Sequence, residues 1–168
     1  MTLDIAIDAD GEWDSSTGWA ELARSAATAA IAESAFPQLG QGERPVELSI
    51  RLAGDAEVHS LNAEWRGKDK PTNVLSFPMA EADDLQESDV PGPELMLGDI
   101  ILAHGVCERE AADKAIPLDH HAAHLMVHGT LHLLGYDHMD DQGAADMEAR
   151  EIRALARMGI SDPYAEDR

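Results

Sequence analysis

Leu3, Ile5 and Ile7 alternate with Asp4, Ala6 and Asp8, the period-two pattern of a short half-buried strand. Val46, Leu48, Ile50 and Leu52 alternate strictly with Glu47, Ser49 and Arg51, so a second strand with one wet face is expected. Between them Trp19, Leu22, Ala23, Ala26, Ala30 and Ile31 recur at three- and four-residue steps. That spacing predicts an amphipathic helix beginning near Ser16 or Thr17 and ending before Pro37. Its alanines suit close packing on a sheet, and Trp13 and Trp19 are expected in the core or at its edge. Residues 38 to 45 read as a loop.

Asp55 is placed to cap a short helix marked by Val58, Leu61, Asn62 and Trp65. A loop over 66–71 leads to a strand carrying Val74, Leu75 and Phe77, which Pro78 stops. Residues 80 to 94 are acidic and contain Pro91-Gly92-Pro93. They are expected to form a mobile insertion, because the strand pattern resumes at once from Leu97 to Ala103. Helices follow over about 106–115, ended by Pro117, then from Asp119, then over about 141–158 with Gly159 as the stop. This order predicts one α+β domain over residues 1–168, a small mixed sheet packed with helices.

The helix after Asp119 carries the chemistry. Six of the eight histidines lie between His120 and His138. A helix turns about 100° per residue, so His124, His128 and His132, four apart, form a stripe on one face. Gly135 is placed to end the helix, and the following turn can swing His138 back beside the stripe. Three imidazoles are the ligand set of a catalytic zinc, which keeps its fourth position open; a structural zinc closes it, usually with thiolates. The chain has one cysteine. One zinc per chain on His128, His132 and His138, at the end of a central helix, is therefore expected, with zinc favoured over the other metals that imidazole binds. His124 lies one turn back, as a proton carrier, a support for a ligand, or a packed side chain.

The spacing H-x-x-x-H-x-x-G-x-x-H is also the frame of the metzincin peptidases, which carry Glu after the first His as general base. Here that residue is Gly129. The frame supports a metal; the missing carboxylate argues against peptide hydrolysis.

Composition bounds the rest. Cys107 stands alone, so no internal disulfide forms, which fits a reducing compartment. The N-terminus lacks a secretory pattern and no apolar run is long enough to span a membrane; a cytoplasmic protein is expected. The net charge of −21 runs against nucleic-acid binding, where phosphate contacts demand cations. Residues 61–80, however, hold 3 basic against 2 acidic residues, while residues 81–100 hold 7 acidic and none basic. The basic island is Arg66, Lys68 and Lys70.

Four blocks resemble the YbeY family of bacterial rRNA maturation and quality-control endoribonucleases. They are His128-Gly129-Thr130-Leu131-His132-Leu133-Leu134-Gly135-Tyr136-Asp137-His138, Trp65 to Pro78, Leu97-Gly98-Asp99-Ile100, and Gly159 to Tyr164, in the family's order. The resemblance implies an α+β fold and a zinc-dependent endoribonuclease specific for single strands. It further implies action in 16S rRNA 3′-end maturation and late ribosome quality control. The implied partners are rRNA and the small ribosomal subunit, with a small-subunit ribosomal protein and an assembly GTPase, and no membrane. Arg66 then becomes the residue that holds the scissile phosphate, through a planar fork charged at any cellular pH, and Lys68 and Lys70 follow the RNA backbone. Asp99, Asp137 and Asp140 are candidates for orienting an imidazole or taking a proton, Asp137 being nearest to a ligand in sequence. The alternatives are a metzincin-like zinc hydrolase of another substrate and a non-catalytic assembly factor with structural zinc.

Overall fold

The computed structural model describes residues 3–14, 17–87, 92–137 and 139–165. Its sheet has four strands in the order β1-β2-β4-β3: β1 Leu3–Ala9, β2 Val46–Ala53, β3 Val74–Pro78 and β4 Leu95–Ala103. β1, β2 and β4 run parallel, and β3 pairs antiparallel on the edge of β4, with Ser76 opposite Ile100. The expected mixed sheet is observed. The helices are α1 Trp19–Ala32, α2 Asp55–Arg66, α3 Ala82–Gln86, α4 His104–Lys114, α5 Leu118–Leu133 and α6 Asp141–Arg157.

The alternation in β2 sets up the core. Val46, Leu48, Ile50 and Leu52 are buried, whereas Glu47, Ser49 and Arg51 stay half-exposed on the other face. The first set joins a continuous cluster with the alanine face of α1 and with α5, the helix that carries the histidines. On the opposite face Val58 of α2 packs with Ala53, Leu75 and Ala103 in a smaller cluster. Trp13 and Trp19 are buried edge to face at 5.0 Å. Each indole N–H is satisfied by a backbone carbonyl, that of Ala53 and of Asp14 respectively.

Several expectations need correction. Asp55 does not cap its own helix; Gly54 holds the N-cap position. The Asp55 carboxylate instead accepts from Val106 N–H in the first turn of α4 and from Arg109, capping a helix about fifty positions away in the chain. The helix expected from Asp119 starts one residue earlier, at Leu118, with Pro117 at the N-cap and Asp119 inside the first turn of α5. Trp65, counted with the apolar face of α2, is 67% exposed. The segment 80–94 contains α3, closed by a capping box between Glu81 and Asp84, with Leu85 buried in the main core. Residues 88–91 of that segment lie outside the described residues, as does Ser16.

α6 is fastened to the end of α1. Glu33 accepts from Arg157 Nε at 2.5 Å and Arg153 Nε at 2.9 Å, and its carbonyl accepts from Arg150 at 2.6 Å. The hydrogen bonds from Arg157, then Arg153, hold the Glu33 carboxyl below the usual 4.5. A depressed carboxyl stabilises the folded state above its unfolded pKa and loses that contribution as pH falls through the folded value. Wild type should therefore melt above Glu33→Gln at neutral pH, with the gap in Tm closing below about pH 4.5. All three arginine–Glu33 contacts are at the surface or near it, so the gap should be small.

Candidate functional site

α5 is enclosed on nearly every side. It packs on α1, α4, α6, β3 and β4, and from His121 to Leu134 every residue is buried except His128 and His132. These two rings form the open strip of that run. Their Nε2 atoms approach to 3.0 Å, with ring centroids 4.5 Å apart and planes at 81°. The four-residue spacing thus turns two nitrogens toward one point.

The helix then stops as expected. Gly135 takes φ +95°, its N–H bonds to the carbonyl of His132, and Tyr136 N–H reaches back to that of Leu131. This paired closure is the Schellman turn, which glycine accommodates without strain. Tyr136 fixes the turn in place: its hydroxyl accepts from Ala35 N–H, and Arg150 lies 4.8 Å over its ring. His138 lies outside the described residues. Asp137 accepts from Met139 N–H at 3.2 Å, and Asp140 caps α6 by accepting from Gly143 N–H at 2.6 Å. Both carboxylates hold backbone.

Behind the two rings sits a carboxylate that sequence reasoning missed. Glu151 of α6 has a side chain only 1% exposed. Its Oε1 lies 2.7 Å from His124 Nε2, 2.9 Å from Tyr164 Oη and 3.4 Å from His128 Nδ1. Burial pushes the Glu151 carboxyl up; the hydrogen bonds from His124 and His128 outweigh it and bring the carboxyl down to about 2. Burial, reinforced by the charge of Glu151, pushes the Tyr164 phenol well above its usual range, so it stays a donor. His128, Met147, Glu148, Glu151 and Tyr164 line a cleft of about 270 Å³. A signal for Glu151 exists in the sequence: it interrupts the apolar stripe Met147, Ala154, Leu155 of α6, and a lone acid on a buried face calls for a partner.

His124 is buried at 7% exposure between Glu151 and Tyr164. One turn earlier, His121 Nε2 meets Glu110 at 2.8 Å, and burial holds His121 below its usual pKa.

The basic residues stand elsewhere. Arg66 ends α2, and its Nη2 donates to the Ser76 carbonyl at 3.2 Å, on the edge strand against which α5 packs. Lys68 and Lys70 are exposed on the loop beyond. The loop's shape is set by the buried Asn62, whose side chain donates to Lys70 O, and by His59, 2.7 Å from Asp69. Asp99 accepts from Ser49 on the α2 side of the sheet. There it lines a groove with Arg51, Trp65, Phe77 and Met79. Its neighbour Ile100 faces α5, so strand alternation turns Asp99 away from the histidines.

Gly129 explains the absent peptidase base. A Cβ built there would lie 2.9 Å from Ile100 Cγ2 and 3.2 Å from two further Ile100 carbons. Position 129 is the contact between α5 and the centre of the sheet, and leaves no space for a glutamate.

The donor set suits a borderline metal ion. Two neutral imidazoles are zinc ligands, and their 3.0 Å separation is near the roughly 3.3 Å edge that two nitrogens span around a four-coordinate zinc. Among the described residues no group of three or more His, Cys, Asp or Glu side chains gathers at one point to hold a metal.

The Endoribonuclease YbeY family model matches residues 12–159. An endoribonuclease YbeY of Rhizorhabdus wittichii is 51% identical over 164 residues, covering 97% of each chain. That of Paramagnetospirillum magneticum is 52% identical over 170 residues, covering 99% of this chain and 98% of its own. The solution structure of TM1509 from Thermotoga maritima shares the fold, with a TM-score of 0.57 at 22% identity over 93% of this chain and 92% of that one. No helix among the described residues is long and apolar enough to cross a membrane.

Proposed function

The chain belongs to the YbeY endoribonuclease family, and on that premise we propose that it is a zinc-dependent endoribonuclease that cuts single-stranded RNA at His128, His132 and His138. The observation that carries this reading is the pair of Nε2 atoms 3.0 Å apart on the half-exposed strip of a helix buried on its other sides from His121 to Leu134. Both rings are partly exposed on a helix that is otherwise buried from His121 to Leu134, so an incoming ion can reach the two nitrogens without displacing the core. His138 completes the ligand set in this reading. A zinc ion held there supplies Lewis acidity, lowering the pKa of water from about 15.7 to about 7 and polarising a phosphoryl oxygen.

The chain's own residues supply the remaining tasks. Arg66 ends a helix and carries a fork of donors suited to two phosphate oxygens, and Lys68 and Lys70 extend the positive track along the RNA backbone. A net charge of −21 opposes the capture of free RNA, which favours a substrate presented on the small ribosomal subunit. The substrate in this reading is the 3′ end of 16S rRNA, in a cytoplasmic setting, with a ribosomal protein and an assembly GTPase as guides. Asp137 and Asp140 bind the backbone N–H groups of Met139 and Gly143 and are not assigned a proton in this reading. The peptidase alternative is disfavoured by Ile100 filling the space a general base would need.

The test is cleavage of a defined single-stranded RNA, read alongside zinc per chain, with and without chelator. Cleavage that persists in metal-free protein refutes the reading. Arg66→Glu should keep the melting temperature and the zinc while lowering cleavage by about 10- to 100-fold, the worth of charged hydrogen bonds to phosphate. Full activity in that variant would remove the phosphate assignment.

A further inference from the structure

Three side chains surround the Glu151 carboxylate, and they determine where protons sit. An ionised carboxylate only accepts. His124 Nε2 at 2.7 Å and Tyr164 Oη at 2.9 Å must therefore each bring a hydrogen. His124 agrees with this: among the described residues its Nδ1 has no partner, and a buried N–H without a partner is rarer than an under-satisfied acceptor. The third group is His128 Nδ1, 3.4 Å from the same Oε1.

We propose that Glu151 is a positioning residue for His128: it draws the ring's proton to Nδ1 and leaves the Nε2 lone pair facing His132. The inference rests on the reading of His128 and His132 as metal ligands. A histidine in water prefers its proton on Nε2, which here would aim an N–H at the shared point instead of a lone pair. A carboxylate on the far nitrogen corrects this, orients the ring and raises its basicity as a ligand.

The three supports come from separate elements. Glu151 is on α6, His124 is one turn before His128 on α5, and Tyr164 follows α6 in the C-terminal segment. Tyr164 and His124 also touch each other, with Oη 3.1 Å from Nε2 and ring centroids 5.3 Å apart. Together they hold the carboxylate rigid and charged in a place water scarcely reaches. His124 and Tyr164 thus serve the site through Glu151 without touching the substrate.

The experiment compares wild type, Glu151→Gln, Tyr164→Phe and His128→Ala. Zinc affinity is measured by competition with a chromogenic chelator. The tautomer of His128 is read in metal-free, ¹⁵N-labelled protein from long-range nitrogen–proton spectra. Wild type should carry the His128 proton on Nδ1. Glu151→Gln should shift it toward Nε2 and weaken zinc binding by about 10- to 100-fold. Tyr164→Phe, which keeps the carboxylate and removes one donor, should move both readouts less and in the same direction. A merely structural role would lower the melting temperature and leave the tautomer alone. Unchanged tautomer and affinity in Glu151→Gln overturn the proposal; should that variant fail to fold, unchanged values in Tyr164→Phe overturn it equally. If zinc binding is lost in His128→Ala but intact in Glu151→Gln, only the role of Glu151 falls. If His128→Ala binds zinc like wild type, the metal-site reading falls and takes this inference with it.

Discussion

His128→Ala and His132→Ala should each lose bound zinc and RNA cleavage together while the fold survives. Both rings line the open strip of α5, so alanine removes no core contact of the kind that costs several kcal/mol, and alanine is the best helix former. Glu151 keeps His124 and Tyr164 as partners when His128 is removed, so no buried charge is stranded. Disturbing a residue that merely supports a ligand typically lowers metal affinity or activity by about 10- to 100-fold. Loss of a ligand should exceed this. Zinc per chain, a cleavage assay and a thermal melt on the same preparation check all three parts. A variant that holds its zinc and cuts RNA at the wild-type rate would remove His128 or His132 from the site.

Gly129→Glu should fail to fold, and should not create a peptidase. Any side chain at position 129 would start with a Cβ 2.9 Å from Ile100 Cγ2, inside any ordinary contact. Ile100 is 0% exposed on β4, which is hydrogen-bonded on both sides by β2 and β3, so neither partner can step back. Overpacking alone costs about 1–3 kcal/mol. The buried carboxylate adds a desolvation penalty of several kcal/mol more. The sum reaches the range of about 5–15 kcal/mol that holds a whole domain together. Gly129→Ala is the graded control. Its clash is partly offset by the roughly 0.5–1 kcal/mol that alanine contributes over glycine in a helix, so it should fold with a modestly lowered Tm. Circular dichroism melts separate the two, and a Gly129→Glu protein melting like wild type would show that α5 does not rest on Ile100 at this point.

The histidine frame was legible because everything it needs is local. A four-residue step puts His128 and His132 on one face of a helix whatever it packs against, the placement from which their Nε2 atoms meet at 3.0 Å, and Gly135 closes the helix through backbone bonds within six residues. The alternation of β2 was legible for the same reason: neighbouring residues on a strand point to opposite faces under any topology. The exposure of Trp65 was not, because a helix's apolar count does not say where the sheet beneath it ends. Nor was the Asp55 cap on α4, since a carboxylate beside one helix start serves whichever N–H groups the fold brings near.

By itself, then, the sequence determined the α+β class, the mixed set of strands and helices, the stripe of imidazoles and the turn that ends it, all consequences of backbone periods acting over a few residues. Tertiary structure alone decided what stands behind that stripe. Glu151 lies 23 positions beyond His128 and Tyr164 lies 36 beyond it, and only the packing of α6 on α5, with α6 also fastened to the end of α1 through Glu33 and three arginines, brings a buried charge to the far nitrogen of the ring. It also decided that position 129 must be empty, because how closely a helix approaches a sheet is set by side chains on both, and no pattern along one chain segment records the other.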